Sequence, residues 1–104
     1  MHAFAALADP TRRRIVELLG AGERSAGELV EEFDVSAPAI SQHLKALRES
    51  GLVQVRADGQ RRIYALDPAG LEEIDAWLAS VRRFWSRRLD ALERELRKPT
   101  RRKR

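Results

Sequence analysis

Between residues 36 and 45 the chain sets out Ser36, Ala37, Pro38, Ala39, Ser41, Gln42 and Lys45, all short or hydrogen-bonding side chains. At helical spacing most of them share one face. The Gln42 amide donates and accepts at once, which matches the edge that adenine presents in the major groove of duplex DNA. Ser41 can bond a base or a phosphate, and Ala39 can meet a thymine methyl or simply pack. Ser36 and Lys45 suit phosphate oxygens, which fix position on a duplex without carrying sequence information. The opposite face holds Ile40, Leu44 and Leu47 at the spacing of a buried helix stripe. His43 lies at the boundary, where it either packs against the preceding helix or touches a phosphate or base. Ser36 can serve as N-cap, and Gly51 can supply the left-handed residue that ends the helix. The segment therefore predicts a helix over 36–50 with one buried face and one face able to read a base edge.

The flanking elements must hold that face outward. Downstream, Val53, Val55 and Ala57 alternate with Gln54, Arg56 and Asp58, which predicts a strand, and Ile63, Tyr64 and Leu66 supply its return. Asp58-Gly59 reads as the turn of a β-hairpin over 53–66. With those two residues as the loop, Arg56 falls directly opposite Arg61, a like-charge pair that a bound phosphate would relieve. Arg56, Arg61 and Arg62 are candidate phosphate contacts on this wing. Upstream, Ser25-Ala26-Gly27-Glu28 is a capping-box pattern, and Ala26, Leu29, Val30 and Phe33 follow helical spacing. Only Asp34-Val35 separates this helix from Ser36, so the two should form a helix-turn-helix. Before them, Asp9-Pro10 reads as N-cap and first residue of a helix to about Leu19, with Ile15, Val16 and Leu19 inward and Gly20 as its stop. A short amphipathic start over 2–8 carries Phe4 and Leu7.

Asp67-Pro68 opens a last helix by the same logic. Leu71, Ile74, Leu78, Val81, Trp85, Leu89, Leu92 and Leu96 then recur at threes and fours, with Trp77 and Phe84 widening the stripe. About 26 residues at about 1.5 Å each give a rod near 40 Å long, more than a domain of this size needs for its own core. A second copy is the simplest cover for the surplus, with Phe4, Leu7, Leu71, Ile74, Leu78, Val81, Trp85, Leu89 and Leu92 as the expected interface. A break near Ser80 or Ser86 would instead let the helix fold back on its own domain.

Composition bounds the rest. One hundred and four residues, 43% hydrophobic and 35% charged, predict a single domain over 1–98 and a basic, disordered tail over 99–104. Net charge is +4, yet six of the twenty basic residues lie in 97–104, so the other ninety-six residues are slightly acidic. From Ser36 to Arg62, Lys45, Arg48, Arg56, Arg61 and Arg62 face only Glu49 and Asp58, a local excess of +3. No apolar run is long enough for a membrane span and no leader pattern opens the chain, so a cytoplasmic protein is expected. With no cysteine, disulfides, thiolate metal sites and thiol switches are excluded. No Ser-His-Asp, paired-carboxylate or Gly-rich phosphate motif accompanies His2 or His43, so an enzyme is not expected.

The segments DPTRRRIVELL (9–19), SAPAISQHLKALRESGLV (36–53) and QRRIYAL (60–66) together resemble the ArsR/SmtB family of bacterial winged-helix repressors. The resemblance implies a mainly α fold with a small β-hairpin, a winged helix-turn-helix of order α-α-α-α-β-β-α with a long C-terminal dimerisation helix. It also implies a homodimer binding double-stranded DNA, with two recognition helices in successive major grooves of an inverted repeat. Many members bind metals through cysteines before the recognition helix or His and Asp on the last helix. Here the corresponding SAGELVEEF has no thiol, and Glu72, Glu73 and Asp75 come without histidine. The chain is therefore similar to the metal-independent branch, with no cofactor expected and the effector open. The alternative is a winged-helix interaction module that offers its last helix to a different protein.

Overall fold

The computed structural model describes residues 2–97; the tail expected over 99–104 lies outside them. Eight elements follow in order: α1 (His2–Ala6), α2 (Pro10–Ala21), β1 (Arg24–Ser25), α3 (Ala26–Glu32), α4 (Ala37–Glu49), β2 (Val53–Asp58), β3 (Arg61–Leu66) and α5 (Pro68–Arg97). Contacts divide the chain into a compact unit ending at Ile74 and a second beginning at Asp75.

Capping explains where the helices begin. The Asp9 carboxylate accepts from the Thr11 and Arg12 N–H groups at 2.8 and 3.2 Å. Ser25 and Glu28 close the predicted capping box, with bonds of 3.1 and 2.8 Å. Ser36 Oγ accepts from the Ala39 N–H at 3.2 Å, and Asp67 accepts from the Ala69 N–H at 3.0 Å. Each cap satisfies a helix N–H that has no partner within the helix. The Arg12 N–H, foremost, and the Thr11 N–H hold the Asp9 carboxyl below the usual carboxylate range. The Ser25 N–H, with the Ser25 hydroxyl, does the same for Glu28.

Both groups bind protons more weakly folded than unfolded, so their contribution is present above about pH 5 and is lost as the pH falls below the ordinary carboxylate value near about 4. Glu28→Gln keeps the capping geometry but not the charge. Thermal unfolding of this variant should show a shallower loss of stability between about pH 5 and pH 3 than the parent. An unchanged acid limb would exclude Glu28 as a contributor.

Several boundaries differ from the sequence expectation. Helix α2 passes through Gly20 and stops at Gly22, whose φ is +155° and whose N–H bonds the Leu19 carbonyl. Helix α4 ends as predicted: Gly51 has φ +83°, its N–H bonds Arg48 O at 3.0 Å, and the Leu52 N–H bonds Leu47 O at 3.1 Å. That pair of bonds is a Schellman closure. The sheet has three strands, in the order β1-β3-β2, and not a hairpin alone, because Arg24 and Ser25 pair with Tyr64 and Ile63. The hairpin turn is Gly59-Gln60, with Asp58 opposite Arg61 and Arg56 opposite Ile63. Gly59 at φ +64° is the only positive-φ residue there, the pattern of a type II′ turn. The expected Arg56–Arg61 opposition is therefore absent.

The core joins α2 (Ile15, Leu19), α3 (Leu29), α4 (Ile40, Leu44, Leu47), and Leu52, Val53 and Tyr64. Burying each large apolar side chain stabilises the fold by about 1.5–3 kcal/mol. One face of α4 is thus fixed to α2, α3 and the sheet, and its polar face is left outside. Helix α5 is unbroken over 30 residues, with no interruption at Ser80 or Ser86. Leu71 and Ile74, on its first turns, pack against the core.

Candidate nucleic-acid interface

Three positions define the exposed arc of α4. Its pole carries Pro38 and Gln42, both exposed. One flank carries Ser41, Lys45 and Arg48 at i, i+4, i+7 spacing. The other carries Ala39, His43 and Ala46, all half-buried. Ser36 is exposed at the N-terminal end of the helix.

The wing stands beside the first flank. Directly opposite residues of a hairpin share a face, so Val53, Val55 and Ala57 lie with Leu66, Tyr64 and Arg62. Val53 and Tyr64 are buried, and Arg62 projects from the same face at the free end. Between this face and α4 lies an open groove of about 470 Å³, lined by Ser41, Lys45, Arg48, Glu49, Val53, Arg62 and Tyr64. Lys45, Arg48 and Arg62 appear in no ion pair among the described residues. Three uncommitted cations around one groove form a site suited to a phosphate backbone.

The wing's other arginines are already engaged. Arg56 pairs with Glu23 at 2.8 Å and Arg61 with Glu28 at 3.8 Å. Both belong to the face turned away from the groove, which also carries Gln54 and Ile63. Strand alternation produces this separation, since neighbouring residues such as Arg61 and Arg62 point to opposite faces. His43 Nδ1 accepts a 3.2 Å hydrogen bond from Arg12 Nε, which ties it to α2. Ser36, Pro38, Ser41, Gln42, Lys45 and Arg62 are thus brought to one exposed surface, whereas Arg56 and Arg61 are not. Sequence reasoning counted Arg48 as charge but passed over it as a contact. Its spacing from Ser41 and Lys45 was the available signal.

The predicted interface residues fall in two groups. Phe4, Leu7, Leu71, Ile74 and Val81 are half-buried, and Leu7, Leu71 and Ile74 are partly spent on the core. Leu78, Trp85, Leu89 and Leu92 are exposed, as are Trp77, Phe84 and Leu96. Phe84 meets Trp85 edge-on at 5.6 Å, and the Arg88 guanidinium sits 5.5 Å from the Phe84 ring centre. No helix among the described residues is long and apolar enough to cross a membrane.

Residues 9–55, from α2 into the first strand of the wing, match the family described as "Bacterial regulatory protein, arsR family". The chain is 51% identical over 88 residues to the HTH-type transcriptional regulator Rv2034 of Mycobacterium tuberculosis, covering 85% of this chain and 79% of that one. It is 36% identical over 77 residues to the transcriptional repressor SdpR of Bacillus subtilis, covering 74% and 86%. Its structure superposes on that of a possible transcriptional regulator for arsenical resistance with a TM-score of 0.73 and 44% identity, over 91% of this chain and 96% of that one. With its helix-turn-helix, its basic groove and these relatives, the chain belongs to the ArsR family of bacterial regulatory proteins, as a DNA-binding transcriptional repressor and not an enzyme.

Proposed function

We propose that the repressor acts as a homodimer on an inverted-repeat operator, with α4 of each copy in a major groove and the wing against the adjoining backbone. The observation that carries this reading is the open groove between α4 and the wing, whose three cations have no ion partner among the described residues. Gln42, at the exposed pole, reads a base edge. Ser41 and Ala39 flank it, and Ser36, Lys45, Arg48 and Arg62 grip phosphates. Two copies related by a two-fold axis place their half-sites about one helical turn, or about 10 bp, apart. The exposed stripe from Trp77 to Leu96 supports the second copy, since apolar patches of this extent mark association surfaces.

Control by a soft metal or metalloid does not fit these residues. Such ions select thiolate ligands, and the chain contains no cysteine. Among the described residues no group of three or more His, Cys, Asp or Glu side chains could hold a metal ion. The lack of thiolate ligands supports a reading in which a thiolate-bound metal does not control repression.

Base reading and phosphate contact separate in one experiment. Gln42→Ala should reduce affinity for a selected operator while leaving affinity for random duplex unchanged, a discrimination loss of about 1–3 kcal/mol. Arg62→Ala should weaken both equally and flatten the salt dependence by about one unit of slope. Equal losses on operator and random DNA for Gln42→Ala would sink the base-reading role. Sizing of the free protein tests the stripe, and a monomer would favour the interaction-module alternative.

A further inference from the structure

A helix seated in a major groove has a phosphate ridge on each side, and the groove is about 12 Å wide. The wing-side flank of α4 has its cations in Lys45, Arg48 and Arg62. The opposite flank holds the polar pair Arg12 and His43, with Glu49 and Ser50 lining the recess beside Arg12 and Ala46. We propose that this pair is a second phosphate-binding site, on the side of α4 away from the wing, with Arg12 fixing His43 as a neutral hydrogen-bond donor. The proposal rests on α4 entering the groove as described above.

The chemistry follows from one bond. Arginine only donates, so His43 Nδ1, 3.2 Å from Arg12 Nε, must present its lone pair. A neutral imidazole then carries its proton on Nε2, and that N–H points away from Arg12. Among the described residues no partner takes Nε2, and no buried side-chain nitrogen or oxygen lacks a partner. The Nε2–H is therefore open to solvent, one residue after Gln42. The Arg12 Nη groups also make no hydrogen bond among the described residues, leaving a charged donor beside a neutral one. Asp9 accepts from the backbone N–H of Arg12 and so holds the start of α2 in place, with its carboxylate within electrostatic reach of both His43 and Arg12.

The test measures affinity and salt slope on a mixed-sequence duplex, with thermal unfolding run on each variant. His43→Asn keeps an acceptor near the Nδ1 position but removes the Nε2 donor, and should weaken binding about three- to tenfold with an unchanged slope, since no charge is lost. Arg12→Ala should weaken binding further and flatten the slope by about 0.9. Arg12→Lys should retain the slope yet lose affinity, because an ammonium cannot hold the imidazole as the planar guanidinium does. Wild-type affinity in both His43→Asn and Arg12→Lys would overturn the proposal and leave the pair as a helix seam only. A slope that falls with Arg12→Ala but not with Lys45→Ala would uphold this site and overturn the wing-side groove.

Discussion

Replacing Gly70 with alanine is expected to destabilise the fold by about 3 kcal/mol or more, from overpacking of about 1–3 kcal/mol and strain on two backbone hydrogen bonds of about 1 kcal/mol each. A Cβ at this position has no room: it would lie 2.3 Å from the Gly51 carbonyl oxygen and 2.9 Å from the Leu52 nitrogen. Neither neighbour is a flexible side-chain end. Both belong to the turn that closes α4, and α5 is bonded to that turn through Gly70 N–H to Gly51 O at 2.9 Å and Asp67 N–H to Leu52 O at 2.8 Å. Moving either partner would disturb the Schellman closure and with it the end of the recognition helix. Gly20 supplies the contrast. It lies within α2, its nearest neighbour to a new Cβ is Leu66 Cδ1 at 3.9 Å, and Gly20→Ala should stabilise by about 0.5–1 kcal/mol through helix propensity. Chemical denaturation of the two variants gives opposite signs. A loss below about 1 kcal/mol for Gly70→Ala would mean that the turn yields freely and does not tie α5 to α4.

The combined variant Lys45→Ala, Arg48→Ala, Arg62→Ala is expected to flatten the salt dependence of duplex binding by about 2.7, at about 0.9 for each phosphate contact removed. Affinity at low salt should fall at least about a hundredfold, because released counterions supply most of the non-specific attraction. The double variant Arg56→Ala, Arg61→Ala removes nearly as much charge but should change the slope by less than about one. Those two guanidiniums are held by Glu23 and Glu28 on the other face of the wing. Similar slopes for the two variants would show that net charge, and not the groove, sets the binding.

The contrast between these arginines also shows where sequence reasoning stopped. Capping signals are local, so Asp9, Ser25 with Glu28, Ser36 and Gly51 were legible and stand where expected. Strand β1 was not, because two residues carry no periodicity and Arg24–Ser25 becomes a strand only through β3. Asp58-Gly59 and Gly59-Gln60 differ by one residue as turns. A single step of the turn exchanges which side chains are opposite, placing Ile63 and not Arg61 across from Arg56, while alternation keeps both arginines on the face away from Arg62. Gly20 looked like a stop, whereas the backbone that needed glycine was at Gly22. Gly70 gave no warning, since its requirement comes from a carbonyl brought close by the fold. The Arg12–His43 bond joins residues 31 positions apart, and no spacing rule reaches that far.

The long apolar stripe was legible from its period, and the unbroken course of α5 agrees with it. Selection of binding sites from a random duplex library tests the central claim most directly, because it examines the reading helix and the pairing of two copies in one measurement. The proposed function predicts an inverted repeat whose half-sites lie about one helical turn apart, and a blurred consensus with the Gln42→Ala protein. Enrichment of a single unrepeated site, or the same sharp consensus with Gln42→Ala, would contradict it.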